Sequence, residues 1–161
     1  MSAGSKRQPP VERATPADHA ELLAVWEASV RATHHFLAEA DIQELKPLIL
    51  HEYFAMVALF CLRGESGGIL AFMGVAQNRL EMLFVRPDAF RQGLGARLAR
   101  HATGELGVRE VDVNEQNPGA LAFYQRLGFT VAGRSGLDGQ GRAFPLLHLR
   151  LEHGAEQTPP G

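Results

Sequence analysis

Three groups of residues in this chain have types and spacings that could do chemistry. The first lies in LFVRPDAFRQGLGARLARH, Leu83–His101. There an apolar run breaks at Pro87, reaches Gly93-Leu94-Gly95 and passes into a helical pattern. The first N–H groups of a helix have no internal partner and sit at the positive end of its dipole. Glycines just before them let an anion approach the backbone. Arg91, Gln92, Gly93, Leu94, Gly95 and Ala96 could present successive N–H groups to a phosphate, with Arg91 adding a full charge. The same glycines could also make an ordinary turn. The second group lies in VDVNEQNPGALAFYQRLGF, Val111–Phe129. Asn117 before Pro118 reads as a helix N-cap followed by a first-turn proline. Tyr124 stands four residues after Ala120, on the same helix face. It is either a core residue or a phenol that keeps its proton at neutral pH and can donate it. The third group is the carboxylate Glu81 in LEMLFV and the imidazole His34 in THHFL. Either could accept a proton from a nucleophile. Glu81 could equally be a plain exposed strand residue.

Other phosphate motifs fit less well. No G-x-x-x-x-G-K-[ST] is present. G-x-G-x-x-G fails at Leu98, and seven residues separate Val85 from Gly93. A dinucleotide site needs its glycines directly after the strand.

The elements that would position these groups can be read from periodicity and turn residues. VERAT reads as a short strand. A helix begins near Pro16, its apolar stripe formed by Leu22, Leu23, Val25, Trp26 and Val30. A second helical pattern runs through Leu45, Leu48, Ile49 and Phe54, with Pro47 tolerable only near its start or as a kink. MVALFCLR, GGILAFMGVAQ and LEMLFV, closely spaced by turn residues, predict an antiparallel meander. LEMLFV, the helix from Gly95 to about Leu106 and REVDVN then form a strand–helix–strand unit with parallel strands. A last helix, PGALAFYQRL, ends at Gly128, and FTVAGR and FPLLHLRLE are closing strands. By period two, Glu81 is expected on one strand face with Leu83 and Val85. The fold class is α/β (α+β), with a mixed, mostly antiparallel sheet.

Taken together, these motifs resemble the GNAT superfamily of acyl-CoA-dependent N-acetyltransferases. The family's pyrophosphate loop, Q/R-x-x-G-x-G/A, aligns with Phe90 to Gly95. Its later signature, N-x-x-A-x-x-x-Y-x-x-x-G-F, is met by Asn117, Ala120, Tyr124, Gly128 and Phe129. WEASVRATHHFL and GRSGLDGQGRAFPLLHL resemble a narrower branch, the YjaB-like bacterial acetyltransferases. The resemblance spans about residues 11–152. Phe90 stands where the family has Gln or Arg, and Arg91 where glycine is frequent, so a polar side-chain contact at 90 is missing.

The resemblance implies a sheet of about six to seven strands with a central splayed parallel pair and helices on both faces. It implies acetyl-CoA as co-substrate, bound by Leu83, Phe84, Val85, the Arg91–Ala96 loop, Asn117, Ala120 and Phe123. Tyr124 would protonate the departing thiolate, and Glu81, with His34 or water as rival, would take the amine proton. Thr33, His34, Phe36 and the Arg134–Asp138 loop become candidates for the acceptor pocket, while Trp26 reads as core. The activity implied is direct acetyl transfer to a primary amine, small-molecule or peptide, in a ternary complex. The alternatives are a non-catalytic acyl-CoA-binding module and a nucleotide-binding Rossmann-type domain.

Bulk composition agrees with one such domain. The chain has 161 residues, is 45% hydrophobic and has a formal net charge of -2. That balance offers no basic footprint for nucleic acid or an anionic membrane surface. A single cysteine, Cys61, excludes an intrachain disulfide and reads as a buried strand residue. His34 and His35, adjacent in sequence, point in different directions, so no metal site is expected. No apolar run approaches the ~20 residues of a membrane helix. MSAGSKRQPP lacks a signal-peptide core, so the expected location is the cytoplasm. Residues 1–10 and 153–161 read as flexible tails around a single domain of residues 11–152, either monomeric or homodimeric.

Overall fold

A computed structural model describes residues 9–139 and 141–152. Apart from Pro9 and Pro10, the expected tails lie outside the described residues. Seven strands form one sheet in the order β1-β2-β3-β4-β5-β7-β6. They are β1 (Glu12–Arg13), β2 (Ala58–Arg63), β3 (Ile69–Ala76), β4 (Arg79–Val85), β5 (Glu110–Asn114), β6 (Thr130–Ser135) and β7 (Leu146–Arg150). The meander β2-β3-β4 is antiparallel as predicted, and β4 and β5 are the parallel pair. The closing hairpin is present, but its second strand, β7, inserts between β5 and β6.

The helices are α1 (His19–Thr33), α2 (Glu39–Leu48), α3 (Leu94–Glu105) and α4 (Pro118–Arg126). Each sheet face has its own core. Leu94, Leu98 and Ala102 of α3 and Tyr124 of α4 pack with Leu80, Val111, Val113 and Leu149. On the other face Leu22, Val25, Trp26 and Val30 of α1 and Ile42 of α2 pack with Leu59, Cys61, Ile69 and Phe72. Full burial of each large aliphatic side chain contributes about 1.5–3 kcal/mol. A polar tie adds to this packing: the Ile69 N–H donates to the Glu21 carboxylate at 2.8 Å, joining α1 to β3.

Two expectations need correction. VERAT pairs as strand only at Glu12 and Arg13. Pro47 lies near the end of α2, not its start, and the chain continues past it as a π turn, Ile49–Tyr53, and a 3-10 turn, Phe54–Met56. Proline has no N–H for the preceding turn and its ring crowds the carbonyl there, so the helix widens after it.

Candidate active site

β4 and β5 pair only at Arg79↔Glu110 and Leu80↔Val111. Beyond Leu80 and Val111 no further residues of the two strands pair, and the backbones diverge. A cavity of about 130 Å³ follows the opening. Residues Leu80 to Phe84 of β4 form one wall and Val111 to Asn114 of β5 the other. Tyr124 and Ala120 reach it from α4, and His34 reaches it from the end of α1. Since α4 and α1 cover opposite faces, the cavity is a slot through the sheet, with a phenol on one side and an imidazole on the other.

At the far end of β4 the loop before α3 takes two positive-φ conformations. Arg91 has φ +68° and Gly93, the residue before α3, has φ +77°. Positive φ is costly for residues with a Cβ. Arg91 thus adopts, where the family often has glycine, the conformation glycine takes most easily. A Cβ on Gly93 would meet no atom within 4 Å, so the space before the helix is open. The N–H groups of Arg91, Gln92 and Gly93 donate to no described backbone acceptor, and the first turn of α3 adds its own free donors. Gly95 packs differently: a Cβ there would touch Phe123 at 3.5 Å and Val85 at 3.7 Å, ordinary contact distances. Free backbone donors ahead of a helix start could hold a phosphate group.

Asn117 has the expected local role. Its Oδ1 accepts the Ala120 N–H at 3.1 Å, capping α4 ahead of Pro118, and Asn117 also lines the slot. Tyr124 is 7% exposed and packs edge-on against Phe123 and Phe129, with centroids 4.9 and 5.7 Å away. Burial pushes its phenol well above the ordinary value, so it holds its proton.

Glu81 departs from the period-two expectation. Gly74 pairs with Met82 but Val75 pairs with Leu80, so Glu81 is the extra residue of a β-bulge. Leu80, not Glu81, shares the α3–α4 core with Leu83 and Val85, while Met82 and Phe84 turn to the other face. The bulge puts Glu81 between two cavities: the slot, and a second of about 280 Å³ lined by Tyr53, Met56, Val57, Ala76 and Met82. Partial loss of water raises the Glu81 pKa, opposed by Arg79 and reinforced by Asp112. The Tyr53 hydroxyl is buried without a partner among the described residues. Nothing local in the sequence distinguishes Tyr53, because the π turn that places it is itself unexpected.

His34 ends α1, with Nδ1 2.8 Å from the Thr33 hydroxyl. Burial, then the neighbouring His35, lowers its pKa, favouring the neutral ring. Thr33 is exposed and donates to the Ser29 carbonyl at 2.8 Å, so it braces the helix end and does not line the slot. Phe36 packs at tilted angles between the rings of His34 and Phe144, with centroids 5.3 and 5.7 Å away, and does not line the slot. Arg134 pairs with Glu115 at 2.7 Å, and Trp26 is core. Among the described residues no group of His, Cys, Asp and Glu could hold a metal, and no helix is long and apolar enough to cross a membrane.

A mixed sheet opened at its one parallel pair, with a glycine-led helix at the open end, defines an acetyltransferase fold. The Rossmann-type alternative fails on this topology, which has a single parallel step. Residues 32–131 match the model of the acetyltransferase (GNAT) domain, and the chain belongs to that family. It is 34% identical over 139 residues to the peptidyl-lysine N-acetyltransferase YjaB of Salmonella typhimurium, covering 86% of this chain and 95% of that one. It is 33% identical over 143 residues to the 5-NmdU N-acetyltransferase of Pseudomonas phage PaMx11, covering 83% and 94%. The solution structure of apo YjaB from Escherichia coli superposes with a TM-score of 0.80 at 34% identity, covering 90% of this chain and 98% of that one. The expected fold and the YjaB-like resemblance both hold. The chain is an N-acetyltransferase by family.

Proposed function

We propose that this enzyme transfers an acetyl group from acetyl-CoA to a primary amine by direct attack within a ternary complex. The observation that carries this reading is the slot itself, which Tyr124 and His34 line from opposite faces of the sheet, with Glu81 at its edge. The α3 end of the site suits the pyrophosphate, and the free edge of β4 suits the pantetheine arm. Acetyl-CoA supplies the activated acyl group as a thioester.

The chain's own residues do the rest. Backbone N–H groups of β4 beyond Leu80, freed from pairing with β5, are available to polarise a carbonyl in the slot. Tyr124, held protonated by burial, donates to the leaving sulfur. Glu81, whose raised pKa makes it a stronger base than a solvated carboxylate, takes the amine proton. His34, its ring favoured neutral, faces the same space and is the rival acceptor. The second cavity, reached past Glu81 and Met82 and walled by Met56 and Val57, suits the aliphatic stem of the acceptor. Most of the acceleration comes from holding amine and thioester together. No covalent enzyme intermediate is needed: Cys61 is fully buried, and burial raises its thiol pKa to about 11.

The relatives act on different amines by name, peptidyl lysine and 5-NmdU, so the acceptor is proposed only as a primary amine. A panel of lysine peptides and small amines with acetyl-CoA, followed by thiol release, tests the reading. Tight CoA binding without turnover on any amine would favour a non-catalytic acyl-CoA module.

A further inference from the structure

Asp112 lines the slot, yet no sequence motif marks it. Its neighbours Val111 and Val113 pack into the α3–α4 core, so alternation turns Asp112 to the opposite face, the one α1 and His34 approach. There it heads a hydrogen-bonded array that crosses three strands. Asp112 Oδ1 is 2.7 Å from His148 Nδ1, and His148 Nε2 is 2.6 Å from the Ser135 hydroxyl. The pairing Asp112↔His148 and His148↔Gly133 puts the first two side chains side by side and leaves the imidazole facing a glycine. A Cβ on Gly133 would sit only 3.6 Å from the ring. Arg79 from β4 also binds Asp112 Oδ1, at 2.9 Å. Both partners use the same oxygen. Asp112 Oδ2 has no hydrogen-bond partner among the described residues.

We propose that Asp112 is an acceptor-binding residue that receives the incoming amine as its ammonium cation, and that His148 and Ser135 are positioning residues holding it for that task. This rests on the acetyltransferase reading above. Arg79 and His148 hold the carboxylate through Oδ1, which leaves Oδ2 of this slot-lining residue to accept from a cation. Charge-assisted hydrogen bonds of this kind are short and directional. Glu81, across the gap on β4, lies 3.9 Å from the Arg79 Nε and is free to take the proton once the cation is seated. The two carboxylates then divide the work: Asp112 binds the ammonium and Glu81 deprotonates it. The charged and titratable groups around Asp112 are Arg79 and Glu81 on β4, Glu110 on β5 and His148 on β7, with His34 across the slot. The acceptor class that follows is an alkylamine, charged at neutral pH, rather than an arylamine.

The test compares steady-state kinetics on a lysine peptide and on an arylamine that is uncharged at the assay pH. In Asp112→Asn the KM for the lysine peptide should rise at least tenfold. The KM for acetyl-CoA and the KM for the arylamine should stay within about twofold, whatever happens to kcat through the loss of the Asp112 charge beside Glu81. His148→Asn can still donate to Oδ1 from the Nδ1 position and should keep most of the lysine-peptide KM. His148→Leu, which cannot, should approach the Asp112→Asn value. Combining His148→Leu with Asp112→Asn should add nothing further, because His148 acts only through Asp112. An Asp112→Asn enzyme with unchanged lysine-peptide KM overturns the proposal. So does an equal rise in KM for both acceptors, or acetylation of Ser135 itself during turnover. A wild-type enzyme that binds CoA but acetylates neither acceptor overturns the parent reading and this inference with it.

Discussion

Leu80 and Val111 are the last residues at which β4 and β5 face one another as a pair. The split occurs one residue before the Glu81 bulge, so a single irregularity in β4 coincides with the opening of the slot and the placement of its carboxylate.

Tyr124→Phe removes one oxygen from a ring that packs against Phe123 and Phe129. The single-turnover rate should fall about 10²–10⁴-fold, the span of a positioned general acid, with little change in CoA affinity or thermal unfolding. The defect should shrink as pH approaches the pKa of a free thiol, near 8.5 for cysteine. A wild-type single-turnover rate would remove Tyr124 from the chemistry.

Gly95→Asp should fold, because the new Cβ meets Phe123 and Val85 at ordinary distances. Its carboxylate would stand at the helix end that favours anions. CoA affinity should fall about tenfold or more by calorimetry, and an unchanged affinity would move the pyrophosphate elsewhere.

Glu81 carries a raised pKa, so its base form is lost as pH falls through a value above the ordinary 4.5. kcat/KM should therefore rise with pH across that window, and Glu81→Gln should lower the plateau and flatten the limb. Stability runs the other way. A raised carboxylate pKa means that the folded state binds more protons than the unfolded one, so stability falls as pH rises through the same window. Glu81→Gln should be the more stable protein at neutral pH by chemical denaturation. A less stable Gln variant would show that the carboxylate is not strained by its surroundings.

Arg31 on α1 binds Glu27 at 2.8 Å and Glu39 on α2 at 2.7 Å, spanning the segment that holds His34 and Phe36. Its hydrogen bonds, with that of Gln43, hold Glu39 down to about 2 from 4.5. The sign is that of a depressed carboxylate: the stabilisation is present above the unfolded value and is lost as pH falls towards 2. Glu39→Gln should unfold with a shallower acid dependence between those limits. The pair is exposed, so added salt should shrink the difference.

Much of the slot was legible because its parts are local. Gly93 and Gly95, the Asn117-Pro118 cap and the four-residue step from Ala120 to Tyr124 each leave a mark within one turn of chain. The meander and the parallel step were legible from apolar alternation and turn residues. Three features were not. The bulge at Glu81 shifts register by one residue, which alternation alone cannot register, and so the face expected for Glu81 was wrong. The π turn beyond Pro47 depends on how a helix accommodates a missing donor. Asp112, His148 and Ser135 lie far apart in sequence and meet only because β7 enters between β5 and β6. A strand order of that kind has no signature in any short segment.

That insertion also dictates when the site can exist during synthesis. β5 is joined to β4 at two positions but to β7 at five. Until Leu146 to Arg150 have left the ribosome, β5 is a strand with most of both edges bare, and β6 has no neighbour at all. By contrast β1 to β4 are neighbours in the sheet in the order in which they are synthesised. Completion of one wall of the slot therefore waits for nearly the last described residues of the chain. A nascent chain that stalls before Leu146 would present open strand edges, the kind that pair with other chains.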